Sequence, residues 1–86
     1  MPVISRFLGI VVAMYWNDHA PPHFHAKYGG QEAVIDIRTG KTIKGALSKR
    51  VASLVQEWRR LHVSELMENW ELARKGKALK YIEPLE

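Results

Sequence analysis

The chain has 86 residues, 47% of them hydrophobic, with three tryptophans and a net charge of +4; this suits one folded domain, residues 1–86, and excludes a disordered tail or a second core. It has no cysteine, so neither disulfides nor a thiolate zinc site can hold it together. The basic balance, with a pI near 9.6, permits a contact with nucleic acid or an acidic partner without demanding one.

Val3 to Phe7 reads as a short strand. Ile10 to Trp16 is β-branched, aromatic and apolar on both alternations, as expected of a central strand buried on both faces. That run is also the longest apolar one, far too short to span a bilayer. The first residues lack the basic-then-apolar pattern of a secretory signal. The expectation is therefore a cytoplasmic protein with no membrane partner.

Asn17 to Pro22 must be a loop, because consecutive prolines cannot donate to a strand ladder. His23 to Tyr28 and Gln31 to Ile37 flank Gly29-Gly30, a strong hairpin signal, since both central residues of a type I′ turn need positive φ. Arg38-Thr39-Gly40 reads as a turn, with a further extended segment from Lys41 to Leu47.

Ser48 is a reasonable N-cap for a helix starting at Lys49. Val51, Leu54, Val55, Trp58 and Leu61 form its apolar stripe at three-and-four spacing, and Leu66, Trp70 and Ala73 continue it. Gly76 suits the C′ position, after the cations Arg74 and Lys75. Ser64 could cap a second helix, so a break near His62 competes with one long helix. Ala78 to Leu85 reads as a returning edge strand. The resulting fold class is α+β: a small, mainly antiparallel sheet from the N-terminal half, packed by one or two C-terminal helices. Phe24, Ile35, Val51, Val55, Trp58 and Trp70 are its predicted core.

The chemistry concentrates between Asn17 and Tyr28, where three of the four histidines lie behind an aspartate and across a Pro-Pro step. A two-residue turn at Gly29-Gly30 fixes the register: Tyr28 faces Gln31, Lys27 faces Glu32, His25 faces Val34 and His23 faces Asp36. One side of the hairpin then carries His23, His25, Lys27, Glu32, Val34 and Asp36. The other carries Phe24, Ala26, Tyr28, Ala33, Ile35 and Ile37, and should pack on the helical layer. Lys27–Glu32 would be an exposed ion pair worth about 0–1 kcal/mol. His23–Asp36 would be a dyad in which the carboxylate orients the ring.

Three readings follow. In the first, His19, His23 and His25 ligate a divalent transition metal, zinc or nickel, with Asp18, Glu32 or Asp36 adding an oxygen ligand or an acceptor behind the rings. Binding should then weaken as pH drops through roughly 6.5, because the ligating imidazoles must be neutral. In the second, His23, Asp36 and Lys27, or Arg38, serve as catalytic acid, base and electrostatic groups of a ribonuclease-like hydrolase. In the third the residues are structural or bind a partner: Asp18 and His19 cap the loop and His23 bonds Asp36. His62, interrupting the helical stripe, reads as a half-buried, satisfied histidine. The remaining cations alternate with glutamates along the helical half, as on a solvated face.

Ser5-Arg6-Phe7-Leu8-Gly9-Ile10, the Asp-His-x-Pro-Pro-His-Phe-His run from Asp18 to His25, Glu32 to Ile37, and the ending from Glu68 to Leu85 together resemble one family. It is the small bacterial family termed domain of unknown function 4160. Asp18, His19, Pro21, Pro22, His23, Phe24 and His25 carry the signature. The family brings no agreed catalytic residues. The resemblance implies a stand-alone cytoplasmic protein that partners a small protein encoded by a neighbouring gene, as a protein-binding or regulatory component of a toxin–antitoxin-like module.

Overall fold

Two-residue turns set the first half of the architecture. In the computed structural model, which describes residues 2–86, β1 (Val3–Phe7) and β2 (Ile10–Ala13) are joined by Leu8-Gly9, both at positive φ. β3 (His23–Tyr28) and β4 (Gln31–Asp36) are joined by Gly29-Gly30, and β5 (Thr42–Ala46) follows. The five strands form one antiparallel sheet in the order β1-β2-β3-β4-β5. Two helices complete the α+β fold, α1 (Lys49–Leu61) and α2 (Val63–Arg74).

The β3–β4 register is the expected one: Tyr28 opposite Gln31, Lys27 opposite Glu32, His25 opposite Val34 and His23 opposite Asp36. The turn itself differs. Gly29 has φ 57° and Gly30 is not left-handed, the pattern of a type II′ turn rather than type I′; both match the strand twist, so the register survives.

Alternation separates the two faces. Phe24, Ala26, Ala33, Ile35 and Ile37 are all buried, together with Ile4, Phe7, Ile10 and Val12. The helices cover this face. Trp58 is fully buried, with ring centroids 5.6 Å from Phe7 and 5.8 Å from Phe24. Its indole N–H donates to the Glu83 carbonyl at 2.9 Å, which satisfies the one polar atom it takes inside. All six predicted core residues are buried.

The helical half is two helices, broken at His62. Ser48 stands at the N-cap of α1 without a side-chain capping bond; its backbone N–H goes to Gln31 Oε1 at 2.8 Å, which ties the helix start to the hairpin. The cap of α2 is His62, not Ser64. The His62 ring bonds Glu65 at 2.6 Å through Nδ1 and lies 5.4 Å from the Trp58 ring, half-buried and satisfied. The break leaves Leu61 exposed, off the stripe that its spacing suggested. At the other end, the N–H of Gly76 reaches the Ala73 carbonyl and that of Lys77 the Leu72 carbonyl, the paired bonds of a Schellman cap with Gly76 at C′.

Two expected strands are shorter or missing. β2 ends at Ala13, three residues before Trp16. The tail is not a strand among the described residues; it lies along β1 through Ile82 N–H to Ile4 O at 2.7 Å and Ser5 Oγ to Ile82 O at 2.9 Å. Buried Asn69 holds it from the helical side, bonding both the carbonyl and the N–H of Lys80 at 2.8 Å. One backbone bond and two side chains, Ser5 and Asn69, thus do here what a ladder would have done. No described helix is long and apolar enough to cross a membrane.

Candidate functional site

β3 supplies two rings on the sheet face opposite Phe24, with the Trp70 ring of α2 reaching His23. His23 and His25 are two residues apart and so point to the same side. The loop after β2 returns beneath them: Asn17 takes φ 57° and donates its N–H to the Ala73 carbonyl at 3.4 Å, while the Trp16 indole N–H donates to the Lys77 carbonyl at 2.9 Å. These bonds bring Asp18 against the histidines.

Asp18 Oδ2 lies 2.8 Å from His23 Nε2 and 3.7 Å from His25 Nε2. Taking one ligand atom from each residue, the three groups all lie within 4.8 Å of one another. The far sides of both rings are occupied. His23 Nδ1 is 2.7 Å from the Pro21 carbonyl, which can only accept, so Nδ1 carries a proton and donates it. His25 Nδ1 is 3.1 Å from Glu32 Oε2, an oxygen placed to accept its proton. With both Nδ1 atoms acting as donors, both Nε2 atoms are left to face Asp18. The His23–Asp18 contact then requires a proton or a cation between two atoms that would otherwise meet lone pair to lone pair. His25 Nε2 is buried and has no hydrogen-bond partner among the described residues.

The walls are aromatic. Tyr15 meets His25 edge-on at 4.5 Å, and Trp70 lies 5.1 Å behind His23. Only 8% of His23 is exposed. Burial by itself would raise the Asp18 carboxyl; the His19 backbone N–H at 2.9 Å and the His23 and His25 rings outweigh it and hold the group below its ordinary value of 3.8. Two clefts flank the cluster. One of about 570 Å³ is bounded by Asn17, Asp18, Trp70 and Arg74, and one of about 300 Å³ by His25, Glu32, Val34 and Lys44.

Of the residues singled out as ligands, His23 and His25 come together and His19 does not join them. His19 is exposed and contributes its backbone N–H, and Asp18 takes the third place. The expected His23–Asp36 dyad is corrected. The two residues are register partners, but Asp36 Oδ1 accepts the backbone N–H groups of Arg38 and Thr39 at 2.8 and 2.9 Å. The Thr39 N–H, opposed by burial and aided by Arg38, lowers its carboxyl below 3.8. Two fixed backbone donors in its own turn hold that carboxylate, and Asp18 takes its place at the ring. Lys27 stands beside the cluster, donating to the Tyr15 hydroxyl at 3.2 Å. Tyr15, Trp70 and the Pro21 carbonyl were not among the sequence candidates. The signal for Tyr15 was its place two residues past the end of β2, on the same alternation as Ala13, which pairs with His25.

No curated protein and no solved structure matches the chain. The family described as Domain of unknown function (DUF4160) matches residues 9–71, a span that includes Asp18, His23, His25 and both helical tryptophans. The chain belongs to that family.

Proposed function

We propose that this chain is a metal-binding domain, with Asp18, His23 and His25 as ligands of a divalent transition metal such as zinc or nickel. One observation carries the reading: acceptors occupy the Nδ1 side of both rings while both Nε2 atoms converge on one carboxylate oxygen. Ligating histidines are usually oriented in this way, by a backbone carbonyl or a carboxylate behind the ring. The spacing suits an ion as well. Ligands about 2.0–2.1 Å from a tetrahedral metal stand about 3.3 Å apart, and the contacts at Asp18 Oδ2, 2.8 and 3.7 Å, bracket that value. Two imidazoles and one carboxylate leave coordination positions open, as in catalytic rather than structural sites. A bound ion would supply Lewis acidity and a water of lowered pKa.

A partner encoded by a neighbouring gene is implied by the family resemblance and rests on no residue of this chain, so the metal reading comes first. The test is the metal content of untagged protein, then calorimetric titration with zinc and nickel at pH 7.5 and 5.5. One equivalent should bind at the higher pH and bind more weakly at the lower, where protons compete for the imidazoles. Asp18→Asn and His25→Gln should each weaken binding by at least about tenfold, and His19→Gln should leave it unchanged. Absence of stoichiometric binding at pH 7.5 would overturn the assignment.

A further inference from the structure

We infer that the cleft between β5 and α1 is a docking site for an acidic polypeptide segment, which sets an apolar side chain between Ala46 and Ala52 and its carboxylates among the surrounding cations. The two edges of the sheet are finished differently. The outer edge of β1 is taken by the tail, through the Ile82 N–H to Ile4 and the Ser5 hydroxyl to Ile82. β5 ends the strand order, all of its residues are exposed, and among the described residues no segment bonds its outer edge. Beside it opens a cleft of about 220 Å³, whose walls include Ala33 and Ile35 of β4, Gly45 and Ala46 of β5, and Ala52 and Gln56 of α1. An apolar cavity of about 150 Å³ holds a benzene ring, so a branched aliphatic side chain has room here.

The charge around the cleft selects the partner. From Ile37 to Gln56 the chain carries five cations, Arg38, Lys41, Lys44, Lys49 and Arg50, and no carboxylate side chain. All five are exposed, and none is in an ion pair among the described residues. Across residues 31–60, seven of the 13 lysines and arginines stand against three of the nine aspartates and glutamates, so the whole net charge of +4 resides there. Those three acids lie off the cleft. Glu32 bonds the His25 ring, on the sheet face away from Ala33. Asp36 holds its own turn. Glu57 shares a helical stripe with Arg50, whereas Lys49 shares that of Ala52 and Gln56.

Arg59 is an independent sign of the same preference. It is 9% exposed and donates to Gln56 Oε1 at 2.9 Å and to the Ile37 carbonyl at 3.0 Å, both neutral acceptors. No described carboxylate pairs with it, and a buried cation without a counter-ion gains from an anion brought to the adjoining surface. Other occupants fit less well. No aromatic ring lines the cleft, so a nucleic-acid base has nothing to stack on. A second copy would bring a surface of the same sign, and the register shift at Ile43 and the edge lysines oppose pairing with another strand edge. A small apolar pocket set among cations suits one anchoring side chain flanked by acids.

The probes are an eight-residue peptide alternating leucine with glutamate, one with alanine for leucine, one with lysine for glutamate, and a ten-nucleotide single-stranded RNA. Each is titrated at low salt into isotope-labelled protein and followed by amide NMR shifts. The leucine–glutamate peptide should shift Gly45, Ala46 and Ala52 saturably, and both altered peptides should bind at least about tenfold more weakly. Lys49→Glu should weaken binding by about threefold to tenfold, whereas Lys77→Glu, the same reversal outside the basic span, should not. Ala52→Leu fills the cleft with a good helix former and leaves the charge unchanged; it should abolish binding, with an unfolding midpoint showing that the variant is folded. Equal binding of the alanine peptide, or no shift at those three amides, overturns the inference. Tighter binding of RNA with a steep salt dependence overturns it in favour of nucleic acid. The same amides shifting as the protein alone is concentrated overturns it in favour of a second copy.

Discussion

The imidazole of His23 leans on the indole of Trp70, with ring centroids 5.1 Å apart and planes tilted by 53°. A core tryptophan therefore touches the histidine cluster from behind. Any change in the charge or ligation of that ring should alter Trp70 emission. Zinc addition is expected to change tryptophan fluorescence until one equivalent is bound. Trp70→Phe should abolish the response while Trp16 and Trp58 continue to emit. A full response in Trp70→Phe would place the ion elsewhere.

Trp58 has no exposed surface, touches Phe7 and Phe24, and anchors the tail through Glu83. Trp58→Ala should cost about 3–5 kcal/mol in urea unfolding, a large part of the roughly 5–15 kcal/mol that holds a small domain together. A loss below about 1 kcal/mol would show that neighbouring side chains close over the cavity.

Asp36 gives a pH signature distinct from that of the cluster. Its carboxyl is lowered from 3.8 in the folded chain, first by the Thr39 N–H. A depressed folded value means that the ionised form stabilises the fold. That stability is complete above the unfolded value and drains away as pH falls through the folded one. Asp36→Ala should therefore unfold more readily at pH 7, by about 1 kcal/mol for the lost turn bonds, and the gap from wild type should close well below pH 4. Unfolding midpoints at pH 7, 4 and 2.5 measure it; a gap that widens in acid contradicts the assignment.

The hairpin was legible because its determinants are local. Two period-two runs around Gly29-Gly30 specify which residues face each other and which side is apolar, and a change of turn type leaves that register untouched. The position of Asp18 was not legible in the same way. Both Asp18 and Asp36 are near His23 in any reasonable sketch, and the choice between them depends on a loop path set by bonds to the far end of α2. The break at His62 is similar. The apolar spacing resumes beyond His62, and at the break the His62 N–H reaches the Arg59 carbonyl while its ring bonds Glu65. His19 was grouped with the other histidines by closeness in sequence, whereas strand alternation, which aligns His23 with His25, does not extend into a loop.

The loop carrying Asp18 is fastened to the Schellman turn of α2 at two points, Asn17 to Ala73 and Trp16 to Lys77. The same turn owes its shape to the Gly76 and Lys77 amides. A ligand gripped by Asp18 would therefore add its free energy to a helix end to which it makes no bond, and by linkage a loosened helix end would subtract from that grip. The amides at 76 and 77 should exchange their hydrogens more slowly when the cluster is occupied, so the filling of the site becomes readable at the opposite side of the loop.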